Sequence, residues 1–257
     1  MICTTICCRR SMSADERGGS IAIAIVCKTP AVGGSKTRLS PPLSMAECAQ
    51  LSACFIADLG RTLTEVAQGE DAVAYALYTP RGSEPALRML LPAEFPLLPQ
   101  VDGDFGARLQ HGVRDLLALG HAGAILVNSD SPTLPAGVLR QAVAALRGRD
   151  AVVLGPALDG GYTLIGLAAP HPELFVDVSW STPAVFEQTL ARARTAGLPV
   201  TVIDGWYDVD DASSLAMLER ELAGVCPPIT RSLATSLQPA AQTREFLQRR
   251  DPSQVLG

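Results

Sequence analysis

Ile21-Ala-Ile-Ala-Ile-Val-Cys27 is apolar at every position and rich in β-branched residues, with polar segments on both sides. A strand with one wet face alternates polar and apolar residues, whereas a strand buried on both faces does not. The run therefore predicts an internal parallel strand, and parallel neighbours require crossover connections, usually helical. Ala124–Val127 repeats the pattern and stops abruptly at Asn128-Ser129-Asp130-Ser131-Pro132. The fold class that follows is α/β, a mostly parallel central sheet flanked by helices, with ligands expected outside the carboxyl ends of the strands.

Asp130 stands at such an end, and Pro132 prevents the strand from continuing past it. Two readings compete. Asp130 is a ligand for a metal ion or a substrate hydroxyl, or Asp130 and Ser131 cap a helix that begins near Leu134 or Pro135.

The segments between the strands read as helices. Ser44-Met-Ala-Glu47 is a capping box, followed by Cys48, Leu51, Phe55, Leu59, Leu63 and Val66 at helical spacing as far as Gly69. Further strands are expected at Ala72–Tyr78, within 96–101, at 150–155, 163–167 and 198–204. Helices are expected at 83–91, 105–119, 134–146, from a Ser181 or Thr182 cap with Pro183 first to about Ala196, and at 212–222.

The loop after the first strand runs Lys28-Thr-Pro-Ala-Val-Gly33-Gly34-Ser-Lys36-Thr-Arg38-Leu39. Glycines let backbone amides approach a phosphate closely and the cations neutralise it, so this loop predicts a pyrophosphate site. It is not a Walker A loop, since Ser35 stands where glycine must precede the lysine and Pro30 where the first glycine belongs, and the dinucleotide fingerprint is absent too.

Three other strand ends carry polar clusters. Asp102-Gly-Asp104-Phe-Gly-Ala-Arg108 opens a helix, so its acids favour helix-start roles over direct ligation. Asp159-Gly160-Gly161-Tyr162 is a hairpin signal and also a place where backbone can lie flat against a sugar or a small substrate. In Trp206-Tyr-Asp208-Val-Asp210-Asp211 the acids 208 and 210 alternate on an extended segment and can face one side. Together with Asp130 they form a candidate oxygen-ligand set for Mg²⁺ or Mn²⁺. His111 and His121 lack partners at metal spacing.

A net charge of -5 provides no basic stripe for a nucleic-acid backbone, though it leaves nucleotides open. The seven cysteines follow neither disulfide-framework nor zinc-site spacing, which points to the cytoplasm. No window approaches the roughly 18 apolar residues of a membrane span. Residues 1–20 read as a disordered lead, 21–223 as one domain, and 224–257 as a polar tail, mostly disordered, with a weak helix over 239–249.

Taken together these segments resemble a bacterial family of GT-A-fold, glycosyltransferase-like transferases, and more distantly the phospholactate and molybdenum-cofactor guanylyltransferases. The resemblance rests on Lys28-Thr-Pro with Gly33–Leu39, Gly103-Asp-Phe-Gly106 with Arg108, Ser129-Asp-Ser-Pro132, Gly155–Tyr162, Trp180-Ser-Thr182 and Trp206–Asp210. It implies a single Rossmann-like GT-A domain, with a nucleoside diphosphate group lying over the first loop. The divalent metal would sit on Asp130, with Asp208 as second ligand and Asp210 as a less certain partner. Lys36 and Arg38 would face the phosphates and act with Asp130 in catalysis. Lys28, Gly33, Gly34, Asp104, Arg108, Ser129, Asp159, Gly160, Gly161, Tyr162 and Trp180 would bind substrate. Where glycosyltransferases usually carry Asp-x-Asp, this chain has Ser129-Asp130-Ser131, with one acid only, so the Asp208 segment carries more of the burden. The activity implied is metal-dependent transfer from a nucleotide-activated donor. Glycosyl transfer from a nucleotide sugar ranks first, nucleotidyl transfer from a nucleoside triphosphate is the alternative, and a nucleotide-binding protein without catalysis is a third reading.

Overall fold

The computed structural model describes residues 19–147, 152–229 and 239–250. Seven strands form one sheet: β1 Ile21–Lys28, β2 Ala72–Thr79, β3 Leu97–Pro99, β4 Gly123–Asn128, β5 Val152–Pro156, β6 Tyr162–Leu167 and β7 Val200–Val202. Their order across the sheet is β3-β2-β1-β4-β6-β5-β7. β1 pairs in parallel with β2 and β4, with Ile21 opposite Ala72 and Gly123. β6 runs antiparallel to both β4 and β5. The sheet is mostly parallel with one reversed strand, as the α/β expectation requires.

The alternation of large and small residues in β1 has a structural reason. Ile21, Ile23 and Ile25 join the cluster under α1 (Met45–Gly69) and α4 (Ala136–Leu146), while Ala22 and Ala24 join the cluster on the opposite face, against α3 (Phe105–Ala118). All five are fully buried. The α3 face is therefore the tighter one, and Ala24→Leu is expected to cost about 1–3 kcal/mol by overpacking. Urea unfolding checks this, with Ile23→Val, at about 0.5–1.5 kcal/mol, as the comparison on the other face.

The capping box of α1 forms as expected, with Ser44 and Glu47 exchanging side chain-to-backbone bonds. The helix expected over 83–91 is the short α2, Glu84–Arg88; Asp104 caps α3 through Ala107 N, and Asp211 caps α6 (Ala212–Leu222). Two expectations are corrected. The helix expected from a Ser181 or Thr182 cap is α5, Val185–Thr195, whose start carries no side-chain cap. The residues ahead of it are instead spent on packing: a Cβ on Gly160 would lie 2.3 Å from Pro183 O, so the 180–183 turn rests on the β5–β6 hairpin. The strand expected over 198–204 keeps only Val200–Val202 in the sheet, because Gly205 leads the chain across the end of β5.

The helix expected over 239–249 is α7, Ala241–Arg249. It docks on α1 rather than standing free, since the buried carboxylate of Asp58 accepts from Gln242 N and Thr243 N at 3.1 and 2.8 Å. The lead at 1–18 and the tail segments at 230–238 and 251–257 lie outside the described residues. No described helix is long and apolar enough to cross a membrane.

Candidate active site

The carboxyl ends of β1, β2 and β4, the residue after β3, and the β5–β6 hairpin open into one cavity of about 500 Å³. That size suits a small-molecule ligand, for which pockets of about 300–1,000 Å³ are usual. Three separate parts of the chain bring charge to it.

The first is the loop after β4. α4 starts at Pro135 without any side-chain cap, so Asp130 and Ser131 do not cap it. Asp130 instead lines the cavity, where its Oδ1 lies 2.7 Å from Lys36 Nζ. Of the two readings of this residue, the helix-cap reading is excluded.

The second is the segment that follows β7. Trp206 N donates to Pro156 O at 3.0 Å and Val209 N to Asp130 O at 2.9 Å, so this extended stretch is stitched across the ends of β5 and β4. A Cβ on Gly205 would lie 2.6 Å from Pro156 O, which is why the crossing starts at a glycine. Trp206, Tyr207 and Val209 are buried, and Asp208 and Asp210 line the cavity. A polar network pins the buried side: Trp206 Nε1 donates to Thr133 Oγ1 at 3.2 Å, and Thr133 and Tyr207 both donate to Glu221 Oε2. Burial raises the Glu221 pKa even though both hydrogen bonds work to lower it.

The third is the glycine-basic loop after β1. It is folded on itself, with Gly34 N donating to Ala31 O and Ala31 N to Ser35 Oγ at 2.9 and 3.1 Å. Lys36 adopts φ 51, ψ 33, a left-handed conformation that costs energy in a residue with a side chain. Its ammonium has three acceptors: Asp130 Oδ1 at 2.7 Å, Asp210 Oδ1 at 2.9 Å and Val209 O at 2.7 Å. The Lys36 side chain is 6% exposed. Burial alone would lower its pKa, but the charges of Asp130 and Asp210 outweigh this and hold it above the ordinary lysine value. Lys36 therefore ties the loop after β1 to both acid-bearing segments. Arg38 reaches the other oxygen of Asp210 at 2.7 Å but is 71% exposed, so further guanidinium donors face solvent.

Asp208 differs from its neighbours. Among the described residues it has no cationic partner, and burial, followed by the charges of Asp159 and Asp210 and then that of Asp130, pushes its pKa up to about 7. Also among the described residues, no three His, Cys, Asp or Glu side chains converge as a ready-made metal cage. What the cavity offers is carboxylate oxygens whose charge the local lysine only partly offsets.

The opposite wall is aromatic. The Phe105 and Trp180 rings meet edge to face at 5.2 Å, Tyr162 lies 6.5 Å from Trp180, and the Arg108 guanidinium sits 5.8 Å from the Phe105 ring. Lys28 and Arg108 line the cavity with no carboxylate partner among the described residues.

Among solved structures, a Desulfovibrio desulfuricans G20 protein provisionally assigned as a nucleotide-diphospho-sugar transferase is 26% identical to this chain. It superposes with a TM-score of 0.74, covering 89% of this chain and 98% of that one. Residues 62–182 match the family described as "Uncharacterized protein conserved in bacteria (DUF2064)". The DUF2064 match takes in Asp130 and the β5–β6 hairpin but neither the Lys28–Arg38 loop nor the Asp208 segment. Two further structures share the fold. One is a CMP:2-keto-3-deoxy-manno-octonic acid synthetase complexed with CTP, at 11% identity and TM-score 0.52, covering 80% of this chain and 99% of that one. The other is a cytidylyltransferase from Leptospira borgpetersenii, at 9% identity and TM-score 0.51, covering 90% and 93%. A comparison with curated proteins finds no match.

Of the residues singled out from the sequence, Lys28, Gly34, Lys36, Arg38, Arg108, Ser129, Asp130, Asp159, Gly161, Tyr162, Trp180, Asp208 and Asp210 all line the cavity. Gly33, Asp104 and Gly160 are not among its lining residues. Asp104 is the α3 cap, Gly160 takes φ +89 beneath Pro183, and Gly33 makes the turn of the first loop at φ +72. Sequence reasoning missed Thr79, Gln100 and Glu221. Thr79 and Gln100 carried a usable signal, a polar residue ending an apolar strand as Asp130 does; Glu221 sits inside a helix, where nothing marks it.

Proposed function

We propose that this protein is a divalent-metal-dependent transferase that uses a nucleotide-activated donor, with glycosyl transfer from a nucleotide sugar as the leading reaction. The observation that carries the reading is that Asp130, from the loop after β4, and Asp208 and Asp210, from the segment that follows β7, line one cavity with the glycine-basic loop. Hard oxygen donors beside a phosphate-sized cationic loop suit Mg²⁺ or Mn²⁺, which is commonly bound through one or two carboxylates plus substrate phosphates.

Asp130 and Asp208 would hold such an ion, since Asp210 gives both its oxygens to Lys36 and Arg38 whereas Asp130 gives Lys36 only Oδ1. The ion, when bound, supplies charge neutralisation at the phosphate oxygens. The backbone amides of the first loop, Lys28 and the free donors of Arg38 would grip the diphosphate. Lys36 would hold the acids apart and in place, which keeps the site preorganised for charge that develops on the leaving phosphate. The aromatic wall of Phe105, Tyr162 and Trp180 offers an apolar face to a sugar ring or an acceptor.

Nucleotidyl transfer is the second reading, favoured by the cation density of the first loop, which suits a departing pyrophosphate. A thermal-shift panel of nucleoside triphosphates, diphosphates and nucleotide sugars, with and without Mg²⁺ or Mn²⁺, separates the two. A ligand at 100 times its Kd should stabilise by about 2.7 kcal/mol. Metal-dependent preference for a nucleotide sugar over the triphosphate is the expected result; the reverse preference selects nucleotidyl transfer. The absence of any response contradicts both.

A further inference from the structure

Gln100 follows β3 directly and is only 9% exposed, yet it lines the cavity. Its backbone N donates to Tyr78 O at 2.8 Å, which fixes the residue against β2. Its side-chain amide nitrogen donates to two backbone carbonyls, Leu77 O at 2.8 Å and Cys27 O at 3.1 Å. Both partners are obligate acceptors, so the amide cannot be flipped without setting oxygen against oxygen twice. Both amide hydrogens are consumed, and the side-chain carbonyl is left without a donor among the described residues. A carbonyl of fixed direction on a largely buried residue that lines a ligand cavity, unpaired among the described residues, is a recognition element in need of a donor.

Its place in the sheet says what it would meet. On the reading proposed above, on which this inference rests, the diphosphate lies between the loop after β1 and Asp130 at the end of β4. The nucleoside then has two ways to extend, over the β5–β6 hairpin or over β2 and β3. The hairpin side carries Asp159 and the aromatic wall, whereas the β2–β3 side carries Gln100 and Thr79.

We propose that Gln100 is the base-selecting residue, its side-chain carbonyl accepting from the exocyclic amine of the nucleobase. A base with a carbonyl at that position sets two acceptors against each other and leaves Gln100 desolvated and unpaired. A site built around such a bond rejects the analogue that lacks the donor.

The test is calorimetric titration of the full chain in saturating Mg²⁺ with two matched pairs, CTP against UTP and GTP against ITP, each pair differing at one exocyclic amine. The wild type is expected to prefer the amine-bearing member of at least one pair by about tenfold or more. In Gln100→Met that ratio falls toward one, because the amine-bearing member binds more weakly, the member without the amine binds more tightly, or both. The ratio, unlike affinity alone, is not moved by a general loosening of the site. The wild-type measurement also stands by itself should Gln100→Met fail to fold. Nucleotide binding without discrimination in either pair overturns the inference and leaves the proposed function intact, as does a preference that persists in Gln100→Met. No binding of any of the four overturns both.

Discussion

Asp208→Asn is expected to raise the melting temperature of the ligand-free protein at pH 8 and to abolish its stabilisation by Mg²⁺ with nucleotide. The carboxyl of Asp208 titrates near 7 in the folded protein against an ordinary value of 3.8. Between those values the folded state holds a proton that the unfolded chain has released, so wild-type stability falls as pH rises through this window. Above about pH 7 the whole cost of ionising Asp208 beside Asp159, Asp210 and Asp130 is present. Asparagine keeps the shape and removes the charge. After allowance for solvent screening and side-chain relaxation the gain is on the order of 1–2 kcal/mol, or several degrees in a chain of this size. Melting curves from pH 5 to 8 check it: the wild type loses stability over the range relative to the variant, and parallel curves would contradict the assignment. The same linkage makes divalent-ion affinity in the wild type rise with pH through about 7, because the ion competes with the Asp208 proton. A site that is more stable once its charged residue is neutralised is the trade expected where binding rather than folding selects the residue.

The second large effect is at Lys36. Lys36→Met leaves Asp130 and Val209 O without their cation and Asp210 with only the exposed Arg38, and removing one partner of a buried pair typically costs about 3–5 kcal/mol. Here the acids keep 35% and 32% of their side-chain surface. The expected loss is therefore reduced to about 2–3 kcal/mol at pH 8 and low salt. It shrinks as pH falls below the carboxylate range, and saturating Mg²⁺ restores part of it, since the ion supplies the charge that the lysine did. Arg38→Met, at a position that is 71% exposed, costs under about 1 kcal/mol. Urea unfolding of the two variants separates the roles: equal losses would mean that Lys36 is an ordinary surface cation rather than the tie between the first loop and the acids.

Much of this site could be read from the chain before its fold was known, and the reason is local. β1 and β4 are apolar on both faces, which identifies internal parallel strands, and internal parallel strands fix which end carries ligands. The Ser44–Glu47 capping box and the acids at 208 and 210 are likewise short-range patterns. What stayed hidden depends on contacts between distant residues. Lys36 and Asp210 are separated by 174 positions, so nothing in the spacing shows that the lysine is spent on carboxylates rather than left open toward phosphate. The Glu221 network under Tyr207 and the cap that Asp58 gives α7 are hidden for the same reason. For Asp104 the helix-start role favoured by the local pattern is the one that forms, with the backbone amide of Ala107 as its partner, whereas the substrate-binding role is implied only by the resemblance. The start of α5 misled because Pro183 is drawn onto Gly160, a packing demand that outranks the local capping signal.

The central claim is that Asp130 and the Asp208 segment form a divalent-ion site that a nucleotide completes. It is tested most directly by titrating nucleotide into the wild type and Asp130→Asn by calorimetry, once in Mg²⁺ and once in excess chelator. The account predicts binding by the wild type in Mg²⁺, a loss of at least about tenfold in chelator, and the same loss in Asp130→Asn, which stays folded but melts lower because Lys36 loses one of its two charged partners. Binding that is equally tight in chelator, or unchanged in Asp130→Asn, would contradict it.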